Sequence, residues 1–428
     1  MNNWSLSRLK EITSKIGSGA TPRGGKKTYL ESGVSLVRSL NIYDFNFSYK
    51  DLAFINDDQA LGLSNVEVFS NDILLNITGA SVARCCIVPT EILPARVNQH
   101  VAIIRVIPEL ANSKFVYYSI NSPNNKNILL SLAQGGATRE ALTKKTIENF
   151  KIQLPPLPIQ RKIASILSAY DDLIENNTRR IQILENMAQA IYREWFVNFR
   201  FPGHEHVKMV ESELGKIPEG WKVVNLTNLV CTQYGYTESA KTEEVGPKYV
   251  RGMDINKTSY INWGQVPYCT IDYDKYLKYK LFPKDILVIR MADPGKVGIV
   301  ERDIEAVFAS YLIRLKIKDE KFKPYFLYYL LMSNYYQGYI SGASTGTTRK
   351  SASAGIITNI NFILPSIHIM NSFEDQITDL RKLLNILLDK NEILRHVRDL
   401  LLSRLISGEL DVSEIEIDRM QVKEKNEL

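Results

Sequence analysis

The sequence is poor in the residue types that hold small folds together or carry out redox and metal chemistry. It has only four cysteines and five histidines among 428 residues. Cys85 and Cys86 are adjacent, Cys231 and Cys269 stand alone, and no pair has the CxxC spacing. The sequence therefore indicates neither a zinc ribbon nor a disulfide framework, and it fits a reducing compartment.

Long apolar segments are also missing. The N-terminus lacks the apolar core of a signal peptide, and no run of about 18 apolar residues occurs, so we expect a cytoplasmic protein with no membrane partner. The composition, with 45% hydrophobic and 23% charged residues, is that of a globular chain of two or three domains. A net charge of +6 is compatible with basic patches on a nucleic-acid reader, but many other proteins share it.

Motifs of autonomous enzymes are absent. Residues 17–26 look like a phosphate-binding loop, but Gly25 occupies the position that requires lysine. There is no HExxH, no GxSxG, and no GxGxxG between a strand and a helix. The run 204–206 (HEH) and the pair Asp171-Asp172 are most simply solvent-exposed. We expect a non-catalytic chain that binds no metal or cofactor itself.

What the sequence does contain is a duplication. Landmarks recur in the same order, with an offset that falls only from 217 to 210 residues: Trp4 and Trp221, Val37-Arg38 and Val250-Arg251, Asp72-Ile73-Leu74 and Asp285-Ile286-Leu287, Leu154-Pro155 and Leu364-Pro365. A repeat of half the chain is too long for a solenoid or propeller unit. It indicates two copies of a domain plus a helix, and a duplicated reader suggests a target with two parts.

Short β-type runs alternate with polar loops and short helices in each copy, which predicts an α+β fold. We assign a first α+β domain to 1–155, a first long helix to 156–198, a linker to 199–219, a second α+β domain to 220–365, a second long helix to 366–407, and a charged flexible tail to 408–428.

The two long helices have heptad-like apolar spacing with a local stutter near Asn177. We predict that the helices pair with each other, antiparallel, although each could instead pack on its own domain. Asn177 and Asn391 lie on the seams and either fix the register or are solvated. The predicted pairing and docking residues are Ile163, Ile166, Leu173, Leu184, Ile191, Trp195, Phe373, Ile377, Leu380, Leu387, Leu394 and Leu401.

Two groups of residues are candidates for DNA contact. Gly/Thr-rich loops at 134–139 and 341–350 end in Thr-Arg, and such loops let the backbone approach phosphates while an arginine grips phosphate or guanine. Basic and aromatic residues also cluster near the start of each copy. A merely flexible or solvated loop is the alternative in both cases. The candidates are Arg23, Lys26, Lys27, Arg38, Tyr43, Thr138, Arg139, Tyr234, Tyr236, Lys248, Arg251, Trp263, Thr348, Arg349 and Lys350.

Taken together, the arrangement resembles the DNA-specificity (S) subunit of type I restriction-modification systems. The resemblance covers residues 4–412 and is most specific at 154–163 (LPPLPIQRKI), 195–199 (WFVNF) and 401–409 (LLSRLISGE). One departure is the start of the second helix, residues 364–370 (LPSIHIM), which lacks the Gln-Arg/Lys-Ile signature of the first. Docking of a partner at that end is expected to be weaker or to use other contacts.

The resemblance implies two target-recognition domains, each reading one half of a bipartite, asymmetric site in double-stranded DNA. It also implies that the helices set the spacer and dock two methyltransferase (modification) subunits, which motor-nuclease (restriction) subunits join. S-adenosylmethionine, ATP and Mg²⁺ would be used by those partner chains, not by this one. A specificity subunit of a modification-only methyltransferase, or a helical scaffold unrelated to DNA, are the alternatives.

Overall fold

A computed structural model describes residues 4–134, 140–344 and 350–415. The chain forms two compact units, unit 1 with residues 1–176 and 393–428, and unit 2 with residues 177–392. Each unit contains an α+β region and a part of both long helices. The compact units therefore cut across the two spacer helices that the sequence assigned as separate segments.

Unit 1 begins and ends its α+β region with paired strands. Its strands are β1 (Ser5–Arg8), β2 (Thr13–Ser18), β3 (Val34–Val37), β4 (Ile42–Tyr43), β5 (Asn46–Phe47), β6 (Ala53–Ile55), β7 (Glu67–Val68), β8 (Ile73–Asn76), β9 (Cys85–Ile87), β10 (Ala95–Val97), β11 (Val101–Val106) and β12 (Lys151–Leu154). Its helices are α1 (Leu9–Ile12), α2 (Asp57–Gly62), α3 (Ser113–Asn121), α4 (Pro123–Gln134), α5 (Lys144–Glu148) and the first part of α6 (Leu157–Tyr192).

Unit 1 has two four-stranded sheets, and strand β11 of the first contributes side chains to two separate cores. One sheet has the order β2-β11-β8-β9 and is antiparallel, and the other has the order β6-β3-β10-β7 with β3 and β10 parallel. Side chains alternate along a strand, so Ala102 and Ile104 of β11 join the helix-side core while Val101 and Ile103 join the core beneath the second sheet. The continuous apolar run of β11 is the sequence signature of this burial on both faces.

Unit 2 repeats the plan with different loops. Its strands are β13 (Met209–Ser212), β14 (Gly215–Pro218), β15 (Lys222–Asn225), β16 (Val230–Tyr234), β17 (Lys248–Val250), β18 (Ile286–Ile289), β19 (Val297–Ile299), β20 (Ala306–Phe308), β21 (Leu312–Ile317) and β22 (Asn361–Leu364). Its helices are α7 (Tyr273–Tyr279), α8 (Pro324–Met332), α9 (Asn334–Ala343), α10 (Ala354–Thr358) and part of α11 (Ile367–Ile406).

Strand orders confirm the duplication. The sheet β16-β21-β18-β19 reproduces β2-β11-β8-β9, the antiparallel pair β15-β22 reproduces β1-β12, and the parallel pair β17-β20 reproduces β3-β10. The predicted α+β class with an internal repeat is therefore confirmed.

The two long helices pair with each other in both units. In unit 2, Ile181 and Leu184 of α6 pack with Leu384 and Leu387 of α11. Asn177 Nδ2 donates a hydrogen bond of 2.9 Å to Asn391 Oδ1, so the two seam asparagines meet. As residue numbers increase along α6, the residue numbers of their partners on α11 decrease, from the pair Asn177–Asn391 to the pair Glu185–Arg381. The predicted antiparallel pairing is confirmed.

The helix ends also join the cores of the α+β regions, which the sequence offered only as an alternative. In unit 1, Ile163 of α6 and Leu405 of α11 are in one core with β11. In unit 2, Phe373 and Ile377 of α11 pack with Trp195, which lies in a π-helical extension of α6, Arg193–Val197. The prediction that the helices pair with each other and the alternative that each packs on a domain are therefore both partly right. The middle parts of the helices pair, and their ends pack into the cores of the α+β regions.

Three sequence assignments are wrong. Leu173 is wrong as a helix-pairing residue, whereas partner docking through it stays a prediction: it is 53% exposed, because the seam shifts to the half-buried Ile174 just before the stutter at Asn177. The assigned linker holds the hairpin β13–β14 and buries Phe201 in the core of unit 2. The assigned tail packs Val412 into the core of unit 1 as far as it is described, and residues 416–428 lie outside the described part.

None of the described helices is long and apolar enough to cross a membrane.

Candidate nucleic-acid interface

The tips of the two Gly/Thr-rich loops lie outside the described residues, which removes Thr138, Arg139, Thr348 and Arg349 from structural description. The chain just after each loop is described and is held in the same way in both units. In unit 1, Gly79 N donates to Glu140 O at 3.1 Å and Leu142 N donates to Ile77 O at 2.8 Å.

Unit 2 makes the equivalent two hydrogen bonds. Ala292 N donates to Lys350 O and Ala352 N donates to Arg290 O, both at 2.9 Å. Gly79 and Ala292 are also both left-handed, with φ of 71° and 69°. Glycine accepts this conformation freely, whereas alanine is strained in it, by about 1–3 kcal/mol. The end of each Gly/Thr-rich loop is thus fixed beside a hairpin turn. This turn joins β8 to β9 in unit 1 and β18 to β19 in unit 2.

The side chains around this shared frame differ between the units. In unit 1, Thr78 Oγ1 and His100 Nδ1 are 2.7 Å apart, and Gln99 Nε2 and His100 Nε2 are 3.2 Å apart. Thr21 also hydrogen-bonds Gln99. Hydroxyl, amide and imidazole groups are donors and acceptors suited to base edges. The residue at the end of this loop is an acid, Glu140.

In unit 2 the same place is basic and aromatic. The Arg290 guanidinium lies 5.0 Å from the ring centre of Tyr234, and the Tyr234 hydroxyl accepts from Ala354 N at 3.2 Å. Tyr311 and Lys350 are exposed beside them. Arg290 Nε is buried and has no hydrogen-bond partner among the described residues. Two of these residues, Tyr234 and Lys350, were sequence candidates, whereas Arg290 and Tyr311 were missed.

Residues missed by the sequence share one cause. Thr78 comes after β8 and His100 comes before β11, and they become neighbours only because Asn76 pairs with Val101. In unit 2 the pairing of Ile289 with Leu312 places Arg290 next to Tyr311. Polar or aromatic residues just before β11 and β21, at 98–100 and 310–311, were the signal that could have found them.

Other sequence candidates remain exposed on loops. Arg23, Lys26 and Lys27 are exposed between β2 and β3. Tyr43 is exposed on β4, and Arg84 lies over its ring at 4.8 Å. These side chains are available for phosphate or base contact, which stays a prediction.

The repeated Val-Arg pair builds turns. Arg38 N donates to Asn41 Oδ1 at 3.1 Å, and Arg251 N donates to Asp254 Oδ2 at 2.8 Å, at the start of the same 3-10 turn. The Arg251 guanidinium is also bound to both Asp254 oxygens, at 3.1 and 3.0 Å. The Arg38 guanidinium hydrogen-bonds the Asp51 carbonyl. Repetition of this pair is therefore explained by local structure, and contact of Arg38 or Arg251 with DNA stays a prediction.

Lys248 and Tyr236 are also engaged within the protein. Lys248 Nζ donates to Val266 O at 3.0 Å and lies 4.0 Å from the ring centre of Tyr268. The Tyr236 ring packs 5.6 Å from that of Tyr279. Both side chains are half-buried, so contact with DNA would require them to exchange these partners.

Trp263 is wrong as a DNA-contact candidate. It is 7% exposed and belongs to the core beneath β17 and β18. Residues 252–272 fold back onto these strands, and burying the large indole there removes far more apolar surface from water than a solvated loop would.

The described part of the chain has two adjacent buried thiols and no cluster of metal ligands. Cys85 and Cys86 are both buried, and burial raises the pKa of Cys85 to about 12, so neither thiol forms a reactive thiolate at neutral pH. Among the described residues there is no group of three or more His, Cys, Asp and Glu side chains placed to hold a metal ion. His204 Nδ1 lies 2.9 Å from Phe201 O, within its own turn.

Comparison with known proteins agrees with this architecture. A family model described as the type I restriction modification DNA specificity domain matches the chain twice, over residues 1–186 and 218–398. Similar proteins include two specificity subunits from Methanocaldococcus jannaschii. The MjaVIII type I restriction enzyme specificity subunit is 27% identical over 382 residues, which are 86% of this chain and 87% of the relative. The MjaIX subunit is 27% identical over 433 residues, covering 96% and 95%.

A solved structure with the same fold is the S subunit of a type I restriction-modification system from M. genitalium. The TM-score is 0.56 at 14% sequence identity, with 95% of this chain and 97% of that chain covered. At this identity the likeness concerns the fold, with two α+β regions and two long helices.

Proposed function

Because the chain belongs to the family of type I restriction-modification DNA specificity domains, we propose that it is the non-catalytic subunit that determines which DNA sequence a type I restriction-modification complex recognises. The observation that carries this proposal is the pair of equivalent surfaces. The backbone hydrogen bonds beside Gly79 and Ala292 are the same, while the side chains around them differ. Two surfaces with the same backbone arrangement and different side chains are suited to recognise two different DNA half-sites.

Each unit would read one half of a bipartite, asymmetric site in double-stranded DNA. Thr78, Gln99 and His100 are the proposed readers of unit 1, and Tyr234, Arg290 and Lys350 those of unit 2. The lengths of α6 and α11 would set the spacer between the half-sites. S-adenosylmethionine, ATP and Mg²⁺ would be used by the methyltransferase and motor-nuclease partners.

Two measurements test this proposal. Methylome sequencing of cells with and without the gene should reveal a two-part methylated motif that disappears with the gene. Selection of duplexes from a randomised pool by the purified complex should return the same half-sites and the same spacer. A methylome unchanged by deletion, together with binding that shows no preferred sequence, would contradict the proposed function.

Docking of the methyltransferase subunits is proposed for the exposed faces of the helices. Leu173 and Leu383 are 210 residues apart and are 53% and 39% exposed, and Ile183 and Ile393, also 210 apart, are 56% and 63% exposed. Unit 1 presents Leu173 and Ile393, and unit 2 presents Ile183 and Leu383. Exposed aliphatic side chains at equivalent places suit two copies of one partner, since apolar patches mark interaction sites.

Replacing these residues should reduce the number of bound methyltransferase subunits stepwise. We expect Leu173→Asp with Ile393→Asp to leave one subunit per chain, and aspartate at all four positions to leave none, because a charged side chain would be buried in the interface. Native mass spectrometry of the reconstituted complex measures the stoichiometry. Leu61→Asp and Leu277→Asp, on exposed sites of α2 and α7, are the matched controls. Two bound subunits on the fourfold variant would refute this docking surface.

A further inference from the structure

An ion pair joins the two long helices in unit 1, with the Arg398 side chain 7% and the Asp171 side chain 23% exposed. Arg398 Nη1 of α11 donates to Asp171 Oδ1 of α6 at 2.7 Å. The second Asp171 oxygen accepts from the Tyr118 hydroxyl at 2.6 Å, and the Arg398 guanidinium lies 3.9 Å from the ring centre of Phe45. Asp171 is therefore a structural partner of α11 and not the solvated residue that the sequence suggested, whereas its neighbour Asp172 is exposed.

Unit 2 contains a second ion pair between the same helices. Arg381 Nη1 of α11 donates to Glu185 Oε2 of α6 at 2.7 Å, and Arg381 Nε donates to Glu301 Oε1 at 2.8 Å. The side chains are 1% exposed for Arg381 and 6% for each glutamate. Tyr329, the counterpart of Tyr118 in the repeat, places its hydroxyl 3.5 Å from Glu185 Oε2.

The signs of these charges do not follow the repeat. Leu157 and Ile367, the first residues of α6 and α11, are 210 residues apart, and so are Asp171 and Arg381. Equivalent positions of the two copies thus carry opposite charges. Glu185 corresponds in the same way to Arg395, one helical turn before Arg398. Both acids of these two interhelical pairs are on the first helix, and both arginines are on the second.

If two α6 helices, or two α11 helices, from two copies of the chain paired with each other, like charges would be buried at the contact. An antiparallel pair of two α6 helices in this register would place Asp171 of one beside Glu185 of the other. Two α11 helices would place Arg381 beside Arg398, and the Tyr329 hydroxyl, a donor to Glu185 here, would face an arginine. A buried charge without an opposite partner is strongly destabilising, and like charges in a contact reject the wrong partner.

We propose that these buried charges make the seam between the helices heterotypic: it accepts a first helix with a second helix, from the same chain or from another copy, and rejects two first or two second helices. The duplicated chain would otherwise offer two similar apolar seams that could pair with themselves. The inference rests on the ion pairs alone and does not depend on DNA recognition.

Two full-length variants with reversed charges test the proposal. The acid-only chain carries Arg381→Glu and Arg398→Asp, and the arginine-only chain carries Asp171→Arg and Glu185→Arg. Each variant alone has like charges across its seam, and we expect each to lose its cooperative monomeric fold. Coexpressed, the first helix of each should find a compatible second helix on the other, giving a 1:1 heterodimer at least tenfold in excess over either homodimer, measured by native mass spectrometry after tandem affinity purification.

A fourfold exchange supplies the control for folding. With all four substitutions in one chain the signs are opposite again, and an arginine at 185 would lie between carboxylates at 381 and 301, as Arg381 now does between Glu185 and Glu301. We expect a monomer whose Tm recovers most of the loss. Asp379→Arg with Lys382→Glu, an exposed pair one turn apart on α11, should change neither Tm nor oligomeric state. Monomeric, wild-type-like behaviour of either reversed chain, absence of the heterodimer, or failure of the fourfold exchange to recover stability would each overturn the proposal.

Discussion

Arg381→Met is expected to lower the free energy of unfolding by about 3–5 kcal/mol, the range measured when one partner of a buried ion pair is removed. Arg381 binds Glu185 at 2.7 Å and Glu301 at 2.8 Å, and its Nη2 also donates to Ser259 O at 2.9 Å. Methionine fills much of the space but leaves two buried carboxylates facing each other. Chemical denaturation of the purified chain, followed by the signal of its tryptophans, measures the loss.

The loss should depend on pH, and the sign follows from Glu301. Burial acts to raise the pKa of Glu301, but hydrogen bonds and attraction from Arg381 outweigh it and hold the pKa below its ordinary value. In the unaltered protein this carboxylate therefore stabilises the fold above its unfolded-state pKa, and the contribution disappears as the pH falls through the folded-state pKa. Without Arg381, burial and repulsion from Glu185 should raise the pKa of Glu301, so that protonation of Glu301 stabilises the variant. The difference in stability should shrink from pH 7 towards pH 4.

Lys382→Met is the matched control for Arg381→Met. Lys382 is the next residue on α11, its side chain is exposed, and its ion pair with Asp379 is long at 3.8 Å. Exposed pairs contribute about 0–1 kcal/mol, so this change should be nearly neutral. Equal effects of the two substitutions, or a loss at Arg381 that is independent of pH, would show that packing and not charge explains the role of Arg381.

The sequence predicted features with long-range periodicity and missed those that depend on single neighbours. The duplication, the α+β class and the antiparallel helices were predictable because apolar spacing and repeated landmarks extend over many residues. Trp263 was misassigned because composition shows that a loop is basic and aromatic but not which of its faces folds onto the core. The structural role of Arg251 was missed because its partner, Asp254, acts only in the geometry of a 3-10 turn.

Charges on the helices show the same limit. Asp171 and Asp172 look alike in sequence, yet one binds Arg398 and the other is exposed. A heptad pattern identifies the apolar seam but not which flanking acid meets an arginine of the opposite helix. The proposed readers Thr78 and His100 were missed for a comparable reason, since strand pairing brings them together.

Exchange of the second recognition region should change one half of the recognised sequence completely and leave the other half unchanged. The replaced segment should be 220–365, so that both strands of the β15–β22 ribbon come from one source and keep their pairing, Lys222 with Leu364 and Val223 with Ile363. A wrong base pair costs about 1–3 kcal/mol. Several in one half-site would therefore remove recognition of the original motif.

The graft must keep the contacts that hold this region to the long helices and to the segment that follows the first of them. Trp221 packs at 4.9 Å from Phe201, Glu301 binds Arg381, and Tyr329 faces Glu185. The donor should carry the same residues at these three positions. A smaller graft, limited to the turn 290–296 and to Ser310 and Tyr311, leaves the whole core in place and tests the proposed reader Arg290 together with its neighbour Tyr311.

Methylome sequencing of cells that carry each hybrid, together with selection of binding sites by the purified complex, reads out both half-sites at once. Both grafts should alter the same half, and the smaller graft should alter fewer positions within it, because base edges are read by the few side chains near the turn while phosphate contacts elsewhere carry no sequence information. A folded hybrid that changes both halves would contradict the assignment of one half-site to each unit. A smaller graft without effect would move the reading surface away from Arg290 and Tyr311, towards the exposed loops earlier in unit 2.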